Sequence, residues 1–149
     1  MNCNFLGRGI VVRNVFSLLF LCLLLTGCLG TVDVGPGLDK ISLGFSESMR
    51  WRDYPNAAGY VHPDVRGAFL MQFQEDEDLH VVDSRISSVD MYQGEGRADA
   101  VYVMEYYRLP SSRIKKWRWE QQWRLVQEKV TKPGVWLIEN EPPVLPWRQ

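Results

Sequence analysis

The residue with the clearest capacity for chemistry is Cys28, a thiol at the end of an N-terminal segment that contains no acidic residue. This segment carries Arg8 and Arg13 and continues as the apolar run from Val15 to Leu25. A basic start, a short apolar middle and an exit of small residues are typical of an export signal. Eleven helical residues rise only about 16 Å, against a hydrocarbon core of roughly 30 Å, so the run is too short for a permanent membrane span.

The exit itself, Leu25-Thr26-Gly27-Cys28, resembles the lipobox of bacterial lipoproteins. The resemblance implies that the Cys28 sulfur receives a diacylglyceryl group and that residues 1–27 are removed as a signal peptide. Buried acyl chains such as palmitate contribute about 0.8 kcal/mol per CH₂, so two or more chains anchor a protein stably to a lipid bilayer. Leu29 stands where an aspartate would signal inner-membrane retention in many Gram-negative species, which favours the outer membrane, facing the periplasm. The alternative is an ordinary export signal with a chance cysteine at its edge.

Few other residues are suited to covalent or metal chemistry. Cys3 and Cys22 leave with the signal, so residues 28–149 have no thiol for a disulfide or a nucleophile. His62 and His80 have no cysteine or second histidine at ligand spacing. The acidic run 75–78 lacks the spaced acids and the central glycine of a calcium loop. We therefore expect no metal and no cofactor.

The composition after residue 27 predicts one domain with an aromatic-rich core. Residues 28–149 keep all 18 acidic residues but 15 of the 17 basic ones, which gives a net charge of −3. No basic block is present to support nucleic-acid binding. All six tryptophans and all six tyrosines follow residue 50. We divide the chain into a signal peptide (1–27), a Gly- and Pro-containing tether (28–38), an α+β domain (39–141) and a Pro-rich tail (142–149).

Three helices are predicted in the first half of the domain. Apolar residues recur at three- and four-residue steps between Leu38 and Met49, which predicts a helix over 39–53 with one buried face. Pro55 is suited to the first turn of a shorter helix that ends near Val61, and Pro63 to the first turn of a third. The acidic run 75–78 is expected to follow as a solvated loop.

Four antiparallel strands are predicted after Leu79, where the apolar period changes to two. The expected strands follow Leu79 and then cover 98–109, 114–127 and 135–140. Apolar parity changes along the first of them, which predicts a β-bulge near Ser87 and Ser88. The result is an α+β fold, with N-terminal helices packed on a bent antiparallel sheet.

Charge pairing predicts the register between the second and third strands. Setting Leu109 opposite Ile114 places Glu105 opposite Arg118, whereas a one-residue slip would exchange the two faces of the sheet. The pairs expected from this register are Tyr106 with Trp117, Met104 with Trp119, Ala100 with Trp123 and Asp99 with Arg124.

This order of helices and strands resembles the nuclear transport factor two-like superfamily. The resemblance is carried by Arg52–Ala58, by Val61–Arg66 and by the strands from Val81 to Val126. It implies a cone-like fold with a pocket between helices and sheet, where the superfamily's enzymes place an acid and hydrogen-bond donors.

The side chains expected to face this pocket are mainly aromatic: Tyr102, Tyr106, Trp117, Trp119, Gln121 and Trp123. A carboxylate among them would have a raised pKa and could act as a base. Glu105 and Asp99 are expected to point away, although Asp53 or Asp90 could approach from the rim. Packing of an ordinary core is the plainer interpretation of this aromatic face.

Two functions are compatible with these features. The first is a non-enzymatic lipoprotein that presents a binding or assembly domain, with Val101, Val103 and Tyr107 as an outer contact patch for a homodimer or another envelope protein. The second is an isomerase or hydratase of small hydrophobic molecules that uses the pocket. The tail either lies across the domain with Trp147 tucked in or docks a partner.

Overall fold

The computed structural model describes residues 37–74, 76–92, 94–127 and 132–148. Three helices pack against a four-stranded antiparallel sheet, which confirms the predicted α+β class. The predicted signal peptide, the Cys28 motif and nearly all of the predicted tether lie outside the described residues. Within the described ranges, no helix combines the length and apolar character needed to cross a bilayer.

The first helix, α1 (Leu38–Arg50), is shorter than expected because its end is a left-handed cap. Arg52 has a φ of +59°, and its N–H donates to the carbonyl of Met49 at 3.1 Å. The N–H of Asp53 donates to the carbonyl of Ser48 at 2.9 Å. These two bonds form a Schellman motif, in which glycine is the usual left-handed residue. Here arginine adopts the left-handed conformation, so no glycine marks the helix end in the sequence. The prediction of a helix to residue 53 was wrong for this reason.

The next helices begin as predicted, each with proline in the first turn. Helix α2 (Tyr54–Ala57) is capped by Asp53, whose carboxylate accepts the N–H of Asn56 at 3.1 Å. A 3₁₀ turn (Ala58–Tyr60) links it to α3 (Pro63–Phe73). The Asp53 cap satisfies an N–H group that has no partner within the helix.

The sheet contains β1 (Leu79–Tyr92), β2 (Arg97–Arg108), β3 (Lys115–Val126) and β4 (Val135–Ile138), in the order β1-β2-β3-β4. The register between β1 and β2 shifts between Ile86 and Ser88, which confirms the predicted bulge. A second shift lies between Val81 and Asp83. Each bulge bends the strand and increases its twist.

The predicted register between β2 and β3 was wrong by two residues, although the predicted faces were right. Leu109 and Ile114 lie outside the strands, and Glu105 is opposite Lys116. A two-residue slip keeps every side chain on its face. Charge pairing was misleading, because both registers place a base opposite Glu105, whereas the partner of Asp99 is Gln122 and not the expected Arg124. The observed inward pairs are Met104 with Trp117, Tyr102 with Trp119 and Ala98 with Trp123.

Phe45 of α1 lies at the centre of the aromatic core and is fully buried. Its ring centroid lies 5.3–6.3 Å from five other rings, all but one of them at edge-on angles. Such edge-to-face arrangements stabilise aromatic pairs beyond the area that they bury. The rings around Phe45 are those of Tyr60, Phe69, Tyr102, Trp119 and Trp123.

The tail packs on the domain, and Leu145 within it is fully buried. Gln72 of α3 fixes this segment twice, by donating to the carbonyl of Pro142 at 2.9 Å and accepting the N–H of Leu145 at 3.0 Å. Trp147 is partly buried, as expected for a tail that lies across the domain.

Asp76 departs from the expectation of a solvated acidic loop. Its side chain is buried, and its carboxylate accepts bonds from Arg108 at 3.3 Å and from the indole of Trp147 at 2.6 Å. Two partners far away in the sequence therefore make burial of this charge possible.

Candidate functional site

The six predicted pocket residues all lie on the helix-facing side of the sheet and are at most 5% exposed. Helix rings occupy the space above them. Phe69 stacks on Trp119 with centroids 6.3 Å apart, and Phe73 meets Trp117 edge-on at 5.7 Å. The structure brings Tyr102, Trp117, Trp119 and Trp123 together in this cluster. Tyr106 packs instead against Trp147 of the tail, at 4.7 Å.

The buried polar atoms of this cluster are only partly paired. Gln121 accepts the indole N–H of Trp123 at 3.1 Å. Among the described residues, the Gln121 amide nitrogen and the Trp119 indole nitrogen have no hydrogen-bond partner.

The hydroxyl of Tyr102 lies 2.7 Å from that of Ser84. Burial raises the pKa of Tyr102 far above its ordinary value, against a smaller opposing effect of the Ser84 hydrogen bond. The phenol is therefore neutral and able to donate at every physiological pH.

The four carboxylates considered for a catalytic role do not enter the cluster. Glu105 pairs with Lys116 at 2.9 Å, and Asp99 accepts the hydroxyl of Tyr92 at 2.9 Å, so both point away as predicted. Asp53 caps α2, and Asp90 is exposed. In the part of the chain that the structure describes, no three His, Cys, Asp or Glu side chains converge as a metal site.

An open groove of about 430 Å³ lies between α1 and the segment Ser84–Val89 of β1. Ser42 and Ser46 of α1 line it, and both are buried. The Ser46 hydroxyl has no hydrogen-bond partner among the described residues. Sequence reasoning missed this groove, although two serines four positions apart on an otherwise apolar helix face were a usable signal.

The predicted outer contact patch is smaller than expected. Val103 is only 3% exposed in the single chain, and Tyr107 stacks on His80 with centroids 4.8 Å apart. Arg85 and Arg118 lie directly opposite Val103 on the two neighbouring strands. Long basic side chains cover apolar surface with their stems, which explains how a valine on the outer face becomes buried.

No model of a known protein family matches the chain, and no curated protein matches it. Among solved structures, the chain is similar to a candidate polyketide cyclase from Xanthomonas campestris pv. campestris. The two share 13% sequence identity, with a TM-score of 0.41, over 69% of this chain and 89% of that one. At that TM-score, the similarity assigns neither a family nor an activity.

Proposed function

We propose that this chain is a lipid-anchored protein of the cell envelope, with an α+β domain that binds or assembles with a partner and catalyses no reaction. The lipobox resemblance at Cys28 supports the anchor, and Leu29 in place of an aspartate supports an outer-membrane location. The order of helices and strands supports membership of the nuclear transport factor two-like superfamily. The partner is another envelope protein or a second copy of this chain.

The observation that carries the non-enzymatic role is the ring packing beneath the helices. Phe45, Phe69 and Phe73 contact the inward aromatic side chains at the position where the superfamily's enzymes hold a substrate. Glu105 and Asp99 of β2 are paired on the other face of the sheet. A packed interior without an inward acid suits a scaffold for surface binding better than it suits acid–base chemistry.

The anchor is tested by feeding cells an alkyne-tagged palmitate and comparing the wild type with Cys28→Ala. Label is expected in the wild type and not in Cys28→Ala, because the sulfur is the attachment atom. Cys22→Ala is the matched control and should keep the label, since Cys22 leaves with the signal. Label retained by Cys28→Ala, or a mature mass that includes residues 1–27, would refute the anchor.

The binding role is tested by cross-linking the anchored protein in intact cells. A specific adduct with an envelope protein, or at twice the mass of the chain, is expected. A chain that stays uncross-linked at native abundance would contradict the proposal.

A second candidate is an isomerase or hydratase, favoured by the Tyr102–Ser84 hydroxyl pair, because Ser84 also lines the groove between α1 and β1. Tyr102 itself is fully buried and does not line the groove, so its neutral phenol would act by holding the Ser84 hydroxyl, which could donate a hydrogen bond to a substrate carbonyl. Turnover of small unsaturated ketones that is lost in Tyr102→Phe, with cross-linking unchanged, would favour the enzyme.

A further inference from the structure

A small cavity of about 120 Å³ lies where the tail packs against the end of β2 and the start of β3. Pro146 and Trp147 of the tail form one side of it. Its volume is the share of liquid that about four water molecules occupy, which leaves room for one small polar group. The other lining residues are Tyr106, Arg108, Ser111, Arg113 and Lys115.

This cavity is positively charged. No acidic side chain among the described residues lines it. Arg108 is already paired with Asp76 and Asp78, at 3.3 and 3.6 Å. Arg113 and Lys115, in contrast, form no ion pair with any residue that the structure describes. Two positive charges therefore line the same small space without a carboxylate to balance them.

The strand register explains why Lys115 reaches the cavity. Lys115 is directly opposite Tyr106 on β2, so the two side chains lie on the same face of the sheet. This is the helix-facing side, on which Trp117 follows two residues later. Lys116 points to the other face and pairs there with Glu105 at 2.9 Å. Two consecutive lysines thus lie on opposite faces, and Lys115 is the one that lines the cavity.

Tyr106 provides an independent observation at the same cavity. It is 2% exposed, and its hydroxyl makes no hydrogen bond to another described residue. Unlike the unpaired hydroxyls of Ser46 and Tyr54, it is not closed off from solvent, so a ligand in the cavity can reach it. Burial raises the pKa of Tyr106, against a smaller opposing effect of the Arg108 charge. The hydroxyl therefore keeps its proton and can donate it to a ligand oxygen.

We propose that this cavity binds the phosphate group of a phosphate ester. Arg113, Lys115 and Tyr106 each present a donor to it. Ser111 accepts the N–H of Arg113 at 3.3 Å, so its own O–H is left to donate. A phosphate group directs several acceptor oxygens outward from one centre, and a guanidinium fork can bind two of them at once. A carboxylate has only two oxygens in one plane, which suits donors from β2, β3 and the turn between them less well.

This inference goes beyond the proposed function and does not depend on lipidation. The same phosphate chemistry can come from a soluble ester or from the headgroup of an anionic phospholipid. The test uses the full chain in dodecyl maltoside micelles, because that detergent carries no phosphate. The soluble probes are glycerol 3-phosphate and glycerate, which has a carboxylate instead. In a separate arm, phosphatidylglycerol is added to the micelles.

The ¹⁵N NMR signal of the Arg113 Nε reports contact with the anion, and titration gives the affinity. Glycerol 3-phosphate is expected to shift this signal and to bind more tightly than glycerate. An equal shift in micelles that contain phosphatidylglycerol would support the proposal with a lipid headgroup as the source. A shift with glycerol 3-phosphate alone would support it with a soluble ester as the source.

Lys115→Gln should weaken binding of glycerol 3-phosphate about tenfold, because a charge-assisted hydrogen bond is lost. Lys116→Gln is the matched control, since it removes the same charge from the other face of the strand and should leave the affinity unchanged. Tyr106→Phe should weaken binding about fivefold through one hydrogen bond. It should not lower the midpoint of urea unfolding, because the hydroxyl has no hydrogen bond within the described residues to lose.

Four results would each overturn the proposal. Glycerol 3-phosphate fails to bind, or glycerate binds as tightly as it does. Alternatively, Lys115→Gln binds no more weakly than Lys116→Gln, or Tyr106→Phe keeps the affinity of the wild type.

Discussion

The indole N–H of Trp147 donates a 2.6 Å hydrogen bond to the carboxylate of Asp76, across 71 residues of sequence. Arg108 approaches the same carboxylate, and its guanidinium carbon lies 5.5 Å from the centroid of the Trp147 ring. The three side chains thus join the tail, the segment before β1 and the end of β2.

Trp147→Phe is expected to destabilise the domain by about 1–3 kcal/mol, because it leaves one oxygen of a buried carboxylate without its donor. The measurement is the midpoint of urea unfolding. Trp51→Phe is the matched control, since Trp51 is 78% exposed and should leave the midpoint unchanged. Equal midpoints for the two variants would show that the bond to Asp76 does not stabilise the fold.

Phe45→Ala is expected to cost about 3–5 kcal/mol, because it opens a cavity among the rings that surround Phe45. Leu43→Ala on the same helix is the control, since Leu43 is 58% exposed and should fall within about 0.5 kcal/mol of the wild type. Calorimetric unfolding compares them. A loss in Phe45→Ala no larger than in Leu43→Ala would contradict the central place of Phe45.

Two buried serines of α1 should respond oppositely to alanine. Ser48 donates to the carbonyl of Gly44 at 2.8 Å and accepts from Asn56 at 2.8 Å, so Ser48→Ala should cost about 1–3 kcal/mol. Ser46 has no hydrogen-bond partner among the described residues, so Ser46→Ala should be neutral or stabilising. Thermal unfolding of the two variants measures their stabilities. A larger loss of stability in Ser46→Ala than in Ser48→Ala would mean that the Ser46 hydroxyl has a structural partner.

Glu105 predicts a pH dependence of stability. The hydrogen bond from Lys116 is the main reason that the pKa of Glu105 lies below its ordinary value. A carboxyl group with a depressed folded-state pKa stabilises the fold above its unfolded pKa, and this contribution is lost as the pH falls through the folded value. Glu105→Gln should therefore lose less stability than the wild type on acidification below about pH 4.5.

The control for this pH series is Glu120→Gln, because Glu120 is exposed on the neighbouring strand. Urea unfolding at a series of pH values gives the slopes. If Glu105→Gln follows the wild type at every pH, the pairing of Glu105 with Lys116 is not formed in solution. High salt should shrink the difference, because both groups face solvent.

Local chemistry predicted where the helices begin and which strand residues face the core. Pro55 and Pro63 mark helix starts because proline lacks the N–H that a first turn leaves unpaired. Alternation assigned Tyr102, Trp119 and Trp123 to the inner face because side chains on a strand alternate with a period of two.

Features that depend on distant partners could not be predicted. The β2–β3 register is set by where the loop between the strands begins and ends, and parity is insensitive to a two-residue slip. Asp76 was expected to be solvated because its partners Arg108 and Trp147 lie 32 and 71 residues away in the sequence. The end of α1 depends on a left-handed arginine, Arg52, which no glycine marked in the sequence.

The two bulges of β1 affect whether copies of this protein can associate through their sheet edges when they are crowded together. β1 is a 14-residue strand at the edge of the sheet. The unpaired N–H and C=O groups of an edge strand can form hydrogen bonds with a strand of a neighbouring molecule. The register breaks at Val81/Asp83 and Ile86/Ser88 interrupt the regular spacing of these groups, and charged Asp83, Arg85 and Asp90 lie along the strand. Protein molecules held on a membrane surface would meet one another often. The bulged edge of β1 would keep such molecules from polymerising edge to edge.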